Sequence, residues 1–414
     1  MDWDEGPEVG GPHEPYFQSE RIDRYEEVLE ELKDQGKAYK CYCTKEELEK
    51  QRKRQRDRGE PPRYSGRCRD LSDEEEQKFI DEGRDFTYRY RIPRKPVTVH
   101  DIAKGDVSFP PDQVGDFIII KSNGSPSYNF AVVVDDHHMD ITHVIRGDDH
   151  LSNTPRQLYL YDALGWEPPK WCHLAMILGE DGDRLSKRHG ATDVEEYREE
   201  GFLPEAMLNA LALLGWSPPD GVEYKSVDEL IESFELDRVS TSSSQFDLDK
   251  FRYLNGQHLR DLDASEIVDR MRPNFLPDTL EPGDEDRLER IVEVLRDHLT
   301  LLSDFSELYE TFFQEPIEPS SEAVDWIRDH EEAVDHLEAF RDRLQEVEEL
   351  DPETAKTVIG DAKDETGGSG RDFYLPLRIG ITGRMEGPEF HEIMPVIGTE
   401  RCLNRLDILL TRVS

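Results

Sequence analysis

Between Asp181 and Asp193 the sequence runs DGDRLSKRHGATD, which sets Arg184, Lys187 and Arg188 around Ser186 in a loop flanked by Gly182 and Gly190. Cations held at that spacing can stabilise the charge that builds on phosphoryl oxygens as a phosphoanhydride is cleaved. A solvated turn with scattered charge is the alternative, because short motifs have many false positives. A second group comes from SYNFAVVVDD and VIRGDDHL, which carry Tyr128, Arg146, Asp148, Asp149 and His150. A guanidinium offers a planar fork of two donors that suits a carboxylate. Arg146 either receives such a ligand or forms a structural ion pair with Asp148 or Asp149. Cysteines make a third group: five, an odd number, in 414 residues, which suggests reduced thiols or metal ligands in preference to a disulfide framework. His137 and His138 read as a solvated or hydrogen-bonded pair and not as metal ligands.

These side chains need elements to hold them. YFQSERIDRYEEVLEELKDQGKAY reads as an amphipathic helix with Ser19 as its cap and Gly36 near its stop. From Arg84 to Lys121, alternation with Pro and Gly punctuation predicts strands in a small α+β module. NFAVVVDD and DITHVIRGDDH both read as buried strands, placing Tyr128 and Arg146 near the carboxyl ends of adjacent strands, where ligands of α/β sheets bind. NTPRQLYLYDALGW reads as the helix that follows, with Thr154 as cap, Pro155 at its first position and Gly165 near its end. Strand, strand, helix suggests half of a parallel α/β sheet. From Leu203 onward the apolar spacing is helical throughout, so the carboxyl-terminal half is expected to be all-α. Residues 276–286 and 364–372 read as linkers, and no internal repeat is found.

Composition sets the wider limits. A chain of 414 residues should hold two or three domains, since single cores rarely grow past about 250–300 residues. The 93 acidic residues outnumber the 51 Lys and Arg, for a formal net charge of -42, and the excess is spread along the whole length. Such a surface suits a salt-rich cytoplasm, where a Debye length of about 3 Å at 1 M salt mutes self-repulsion. It also argues against nucleic-acid partners unless local basic patches exist. The most basic run is KEELEKQRKRQRDRG, Lys45 to Gly59, which by itself reads as an exposed helix with internal ion pairs. With no basic leader followed by an apolar core, and no apolar run of about 18–20 residues, the protein is expected to be cytoplasmic and without a membrane segment.

Taken together, the motifs resemble a known family. DWDEGPEVGGPHEPYFQSERIDRY, YKCYCTKEELE, SYNFAVVVDDHHMDITHVIRGDDHLSNTPRQ, HLAMILGEDGDRLSKRHGA, GFLPEAMLNALALLGWSP and FDLDKFRYLNG occur in the order found in bacterial-type glutamyl-tRNA synthetases. The closing LPLRIGITGRMEGPEFHEIMPVIGTERCLNRL resembles the end of that family's anticodon-binding region. The resemblance implies attachment of L-glutamate to tRNA-Glu, or also tRNA-Gln, through glutamyl-adenylate, with ATP as substrate and Mg2+. It makes the loop of Arg184, Ser186, Lys187 and Arg188 a KMSKS-type catalytic loop with Lys187 as its main cation. Tyr128 and Arg146 would contact glutamate, and Asp149 and His150 would lie near ATP with Lys187. The family's RGEDH reads RGDDH here, with Asp148 replacing Glu. Cys41, Cys43 and Cys68 resemble a zinc site that some members carry, with Tyr64 or Asp70 as fourth ligand; three free thiols are the alternative. The basic run from Lys45 would lie beside the tRNA acceptor end. A monomer is expected.

The implied fold is an α/β Rossmann-type catalytic domain lacking its N-terminal half, with an α+β acceptor-binding insertion, followed by an all-α anticodon-binding region. The corresponding ranges are 1–25 for a remnant of the first Rossmann half, 26–124 for the insertion, 125–200 for the second half, 201–261 for a helical stem-contact region and 262–414 for the anticodon-binding region. Family members begin with a PSPTG segment and a His-Ile-Gly-His-type motif, and neither occurs here. A nucleotide site that straddles the switch point of the sheet needs both halves. The chain is therefore expected to be incomplete and inactive alone, the alternative being a non-catalytic tRNA-binding fragment.

Overall fold

The structure is a computed structural model that describes residues 3–60, 62–110, 113–179, 181–183, 193–278, 280 and 287–413. They fall into two compact units, one built mainly from residues 1–177 and the other mainly from 178–214 and 245–414.

In the first unit, helix α1 (Ile22–Asp34) buries Tyr25, Val28, Leu29 and Leu32 along one stripe, as its spacing requires. Ser19 does not cap it. It sits in a 3-10 turn, Gln18–Glu20, and the N-cap is Arg21, whose buried guanidinium is committed to Asp135 at 2.7 Å. Strand β1 (Ala38–Cys41) leads to α2 (Lys45–Asp57) and α3 (Asp73–Asp81), each begun by a capping box, from Thr44 with Glu47 and from Ser72 with Glu75. After β2 (Thr87–Tyr90) come the hairpin β3 (Val97–Asp101) and β4 (Gly105–Phe109), then β5 (Phe117–Ile120). Helix α4 (Tyr128–His138), strand β6 (His143–Gly147), helix α5 (Thr154–Leu164) and strand β7 (Lys170–Leu174) complete the unit.

Two sheets result. One is antiparallel, in the order β1-β2-β5. The other runs β4-β3-β7-β6, with β6 parallel to β7 from His143 opposite Lys170 to Gly147 opposite Leu174, and β3 parallel to β7. The unit β6-α5-β7 is thus a parallel βαβ crossover; the parallel sheet was expected, but β7, which closes the crossover, was not among the expected strands. β3 and β4 lie inside the range expected for the insertion, yet β3 pairs with β7.

SYNFAVVVDD is a correction. It forms α4, not a buried strand, and its buried residues Phe130, Ala131, Val133 and Val134 share one helical face. A short apolar run is compatible with either element by periodicity alone. The tie is broken by tertiary contacts, since Asp135 at the far end accepts hydrogen bonds from Arg21 and Tyr25 of the α1 region. Helix α5 starts one residue earlier than expected, with Asn153 at the cap and Thr154 already inside. Gly165 closes it in the left-handed conformation at φ 69°.

The second unit is helical over most of its length: α6 (Val194–Glu200), α7 (Pro204–Leu213), α8 (Val227–Ser233), α9 (Leu248–Asp261), α10 (Ala264–Met271), α11 (Leu288–Leu295), α12 (Asp304–Phe312), α13 (Ser321–Arg328), α14 (Glu332–Gln345), α15 (Pro352–Thr366), α16 (Gly370–Thr382), α17 (Phe390–Ile397) and α18 (Thr399–Val413). No strand occurs among the described residues from 262 onward. α14 buries Ala333, Leu337, Phe340 and Leu344 against α15, α16 and α18. Gly380 of α16 permits that packing, because a Cβ there would lie 2.6 Å from Leu406 and 2.9 Å from Leu337. The linker expected at 364–372 shrinks to the three residues between α15 and α16. Of the other expected linker, 276–286, most lies outside the described residues.

Candidate active site and thiolate cluster

Arg146 stands on β6, and its guanidinium is held on three sides by the neighbouring elements. Nε points to His173 Nε2 of β7 at 3.2 Å. One terminal nitrogen donates to Thr154 Oγ1 at 2.8 Å and Gln157 Oε1 at 2.9 Å, both on α5, and the other to the Tyr128 hydroxyl at 3.3 Å, where α4 begins. Thr154 does not cap its helix because its hydroxyl, fully buried, serves Arg146 and His173 instead. All of these partners are neutral acceptors. The expected alternative, an ion pair with Asp148 or Asp149, is absent among the described residues: Asp148 pairs with Lys104 at 3.0 Å. A guanidinium stripped of part of its hydration, with no carboxylate at ion-pair distance among the described residues, favours an anionic ligand.

Tyr128 is exposed, and its hydroxyl also lies 3.2 Å from His150 Nδ1. Tyr128, Arg146 and His150 therefore form one cluster, although Tyr128 reaches it from a helix. Asp149 is exposed beside it. Asp136, in the last turn of α4, has its carboxyl pushed up to about 7 by burial, against the pull of Arg146. His137 stacks on Trp166 at 3.8 Å and His138 meets the Val134 carbonyl at 2.7 Å, so the pair is structural.

The sequence reading missed the support beneath Arg146. His173 and Asp101 have side chains 0% exposed and 2.6 Å apart. Their sequence signal was weak: His173 is a polar residue in the apolar strand WCHL, but Asp101 ends VTVHD, where Thr98 and His100 are polar as well. Arg184, Ser186, Lys187 and Arg188 lie outside the described residues. The described flanks are a turn in which Gly179 N–H donates to the Asp183 carbonyl at 2.8 Å, and Asp193, which caps α6 in a capping box with Glu196.

Cys41, Cys43 and Cys68 bring their sulfurs within 4.8 Å of one another. The Tyr64 hydroxyl is 3.4 Å from Cys41 Sγ and 3.7 Å from Cys43 Sγ, and Cys43 and Cys68 are 3.6 Å apart. A tetrahedron of 2.3 Å zinc–sulfur bonds has edges of about 3.8 Å, so the donor set fits Zn2+. Hydrogen bonds from Cys43 and Cys68 draw the Cys41 thiol well below its ordinary range, with a further contribution from Arg89. Arg89 stacks over the Tyr64 ring at 3.9 Å. Asp70 is not in the cluster; it is 79% exposed and paired with Arg91 at 2.6 Å.

α2 has no buried residue, and the ion pairs of its described residues run from Glu47 to Arg67 and Arg84. The expected internal pairing is not seen: Lys50, Arg52, Lys53, Arg54 and Arg56 make no ion pair among the described residues. In the helical unit, a cavity of about 1160 Å³ is lined by Arg371, Arg378, Arg384 and exposed Tyr374, and also by the carboxylates of Asp304, Glu307, Glu322, Glu386 and Glu389. Among the described residues, no helix is long and apolar enough to cross a membrane.

Comparison with known proteins agrees with this arrangement. Residues 1–253 match the family described as "tRNA synthetases class I (E and Q), catalytic domain", and residues 266–410 match "Anticodon binding domain". A glutamate–tRNA ligase of Caldicellulosiruptor saccharolyticus is 42% identical over 99% of this chain and 86% of its own length. One of Bacillus subtilis is 41% identical over 98% and 86%. A crystal structure of a glutamate tRNA ligase from Elizabethkingia meningosepticum, in complex with its amino acid, superposes with a TM-score of 0.86 at 30% identity, covering 99% of this chain and 86% of that one. The catalytic-domain match starts at residue 1, and neither the expected truncation nor the expected inactivity gains support from these matches. The chain thus belongs to the glutamate–tRNA ligases, class I aminoacyl-tRNA synthetases with a Rossmann-type catalytic domain followed by a helical anticodon-binding domain.

Proposed function

We propose that this chain joins L-glutamate to the 3′ end of tRNA-Glu in two steps. An α-carboxylate oxygen of glutamate attacks the α-phosphorus of Mg2+-ATP, the bond to pyrophosphate breaks, and glutamyl-adenylate forms. A terminal ribose hydroxyl of the tRNA then attacks the glutamyl carbonyl, losing its proton as AMP leaves. The observation that carries this reading is Arg146, a guanidinium fixed by neutral acceptors and left without a carboxylate among the described residues. It would receive the side-chain carboxylate of glutamate, leaving the α-carboxylate for ATP, with the Tyr128 hydroxyl beside it. Lys187, with Arg184, Ser186 and Arg188, would hold the phosphates as charge moves onto pyrophosphate, and His150 and Asp149 would lie near the nucleotide.

Cys41, Cys43, Cys68 and Tyr64 would hold Zn2+, which when bound ties β1 to the loop before α3. The unpaired cations of α2 would lie along the acceptor stem, and Arg371, Arg384 and Tyr374 would meet the anticodon, combining charge with stacking.

Glutamylation of tRNA-Glu and tRNA-Gln by the 414-residue chain, with ATP and Mg2+ in multimolar KCl, tests the reading. Charging of tRNA-Glu is expected, and Lys187→Ala should slow it by about 30- to 1,000-fold, equivalent to about 2–4 kcal/mol of transition-state stabilisation. Tight tRNA binding without any charging would overturn it in favour of a non-catalytic tRNA-binding fragment.

A further inference from the structure

Arg146 Nε donates to His173, and the side chains behind that contact are wholly buried. Asp101 ends β3 with both oxygens occupied by donors: Oδ1 accepts from the Ala103 N–H at 3.1 Å and the Lys104 N–H at 2.9 Å, and Oδ2 from the His173 N–H at 3.0 Å. His173 Nδ1 lies 2.6 Å from the same Oδ2. An ionised carboxylate only accepts, so Nδ1 carries the proton and Nε2 carries the lone pair. The other end demands the same tautomer. Arg146 Nε always bears a hydrogen, and at 3.2 Å it needs an acceptor. Thr154 Oγ1, 3.1 Å from Nε2, completes the ring of partners.

Protonation states agree with that geometry. Burial disfavours the charge on Asp101, but the Lys104 and His173 donors outweigh it and hold the carboxyl below its usual range. Burial also lowers the His173 imidazole, with Arg146 and Lys104 acting in the same direction and Asp101 opposing. The pair is therefore a carboxylate and a neutral ring.

With Nε given to His173 and one terminal nitrogen given to Thr154 and Gln157, the free donor lies on the nitrogen that faces exposed Tyr128. The guanidinium does not offer its whole fork, as the sequence reading supposed. It offers a single N–H beside a phenol hydroxyl, and the direction of that N–H is set by what grips the opposite edge.

We propose that Asp101 and His173 are positioning residues: a carboxylate–imidazole pair beneath β6 that fixes the rotation of the Arg146 guanidinium and so sets the preference for glutamate over its neutral amide, glutamine. The inference rests on the reading of Arg146 as the receptor for the side-chain carboxylate of glutamate, the group that glutamine lacks. It adds a specificity role for two buried side chains that never touch the amino acid.

The test measures calorimetric binding of L-glutamate and L-glutamine to the full chain and to its Asp101→Asn, His173→Gln and Arg146→Gln variants, with thermal melts of each. In parallel, nitrogen-15 histidine spectra of the unmodified protein report the His173 tautomer between about pH 6 and 8. Asp101→Asn and His173→Gln should each weaken glutamate by about 10- to 100-fold, the cost of misplacing one hydrogen bond to a charged group, while glutamine changes little. The spectra should show a neutral ring protonated on Nδ1. A purely structural role would lower the melting temperature and leave the glutamate-to-glutamine ratio untouched, which would overturn the proposal, as would a ring protonated on Nε2. Should neither variant fold, the tautomer alone decides. If Arg146→Gln binds glutamate as well as the unmodified protein, the reading of Arg146 fails; if only Arg146→Gln loses glutamate, the positioning role fails and that reading stands.

Discussion

Asp136 shows how a single residue records the cost of building this site. Its carboxyl is pushed up to about 7, chiefly by burial, with Asp135 adding repulsion and Arg146 opposing. A folded-state pKa above the unfolded value of 3.8 means that the folded chain prefers the protonated form. The associated stability is fully present below that unfolded value and is lost as pH rises through about 7. Asp136→Asn should therefore stabilise the protein by about 1–3 kcal/mol at alkaline pH, with the gain shrinking as the pH falls. Thermal melts at pH 5 and pH 8 check this, and an equal change at both pH values would contradict it. Asp135, the preceding residue, differs because Arg21 and Tyr25 supply donors to it, whereas no side-chain donor among the described residues reaches the Asp136 carboxyl.

At the scale of elements, β1 and the loop before α3 are joined through side chains that no backbone ladder connects. If Cys41, Cys43, Cys68 and Tyr64 hold Zn2+, the purified chain should contain about one zinc by elemental analysis, and Tyr64→Phe should lose it to a chelator sooner. Asp70→Asn should not. Equal retention by both variants would remove Tyr64 from the ligand set. Sequence spacing made the three cysteines visible but left Tyr64 and Asp70 as alternatives, because the choice depends on which way the chain turns after Cys68; Arg91 draws Asp70 outward. α1, the carboxyl-terminal helices and the extended state of β6 were legible from periodicity and punctuation, but β6 was expected to be buried and none of its residues is. α4 was not, since five consecutive apolar residues, Phe130 to Val134, carry no period. Arg146, Tyr128 and His150 were found from their motifs, whereas Asp101 and His173 were not, because a buried polar pair is defined by the pairing of β3 with β7 and not by either strand alone.

The whole molecule carries a formal charge of -42, and its ion pairs are mostly on the surface. Lowering KCl from multimolar to about 0.1 M lengthens the Debye length from about 3 Å or less to about 10 Å and lets that charge repel itself. The melting temperature should fall steadily with salt, and a melting temperature independent of KCl would contradict this account of the acidic surface. Function at this scale comes back to one contact, the cation on β6 that neutral neighbours hold in place. The most direct test is the steady-state kinetics of tRNA-Glu charging by Arg146→Gln. The account predicts a KM for L-glutamate raised by about 100-fold or more, since a charged hydrogen bond in a partly buried site is lost, with the KM for ATP nearly unchanged. An unaltered KM for glutamate would contradict it, and Arg146 would then be a structural arginine in a site that reads its amino acid elsewhere.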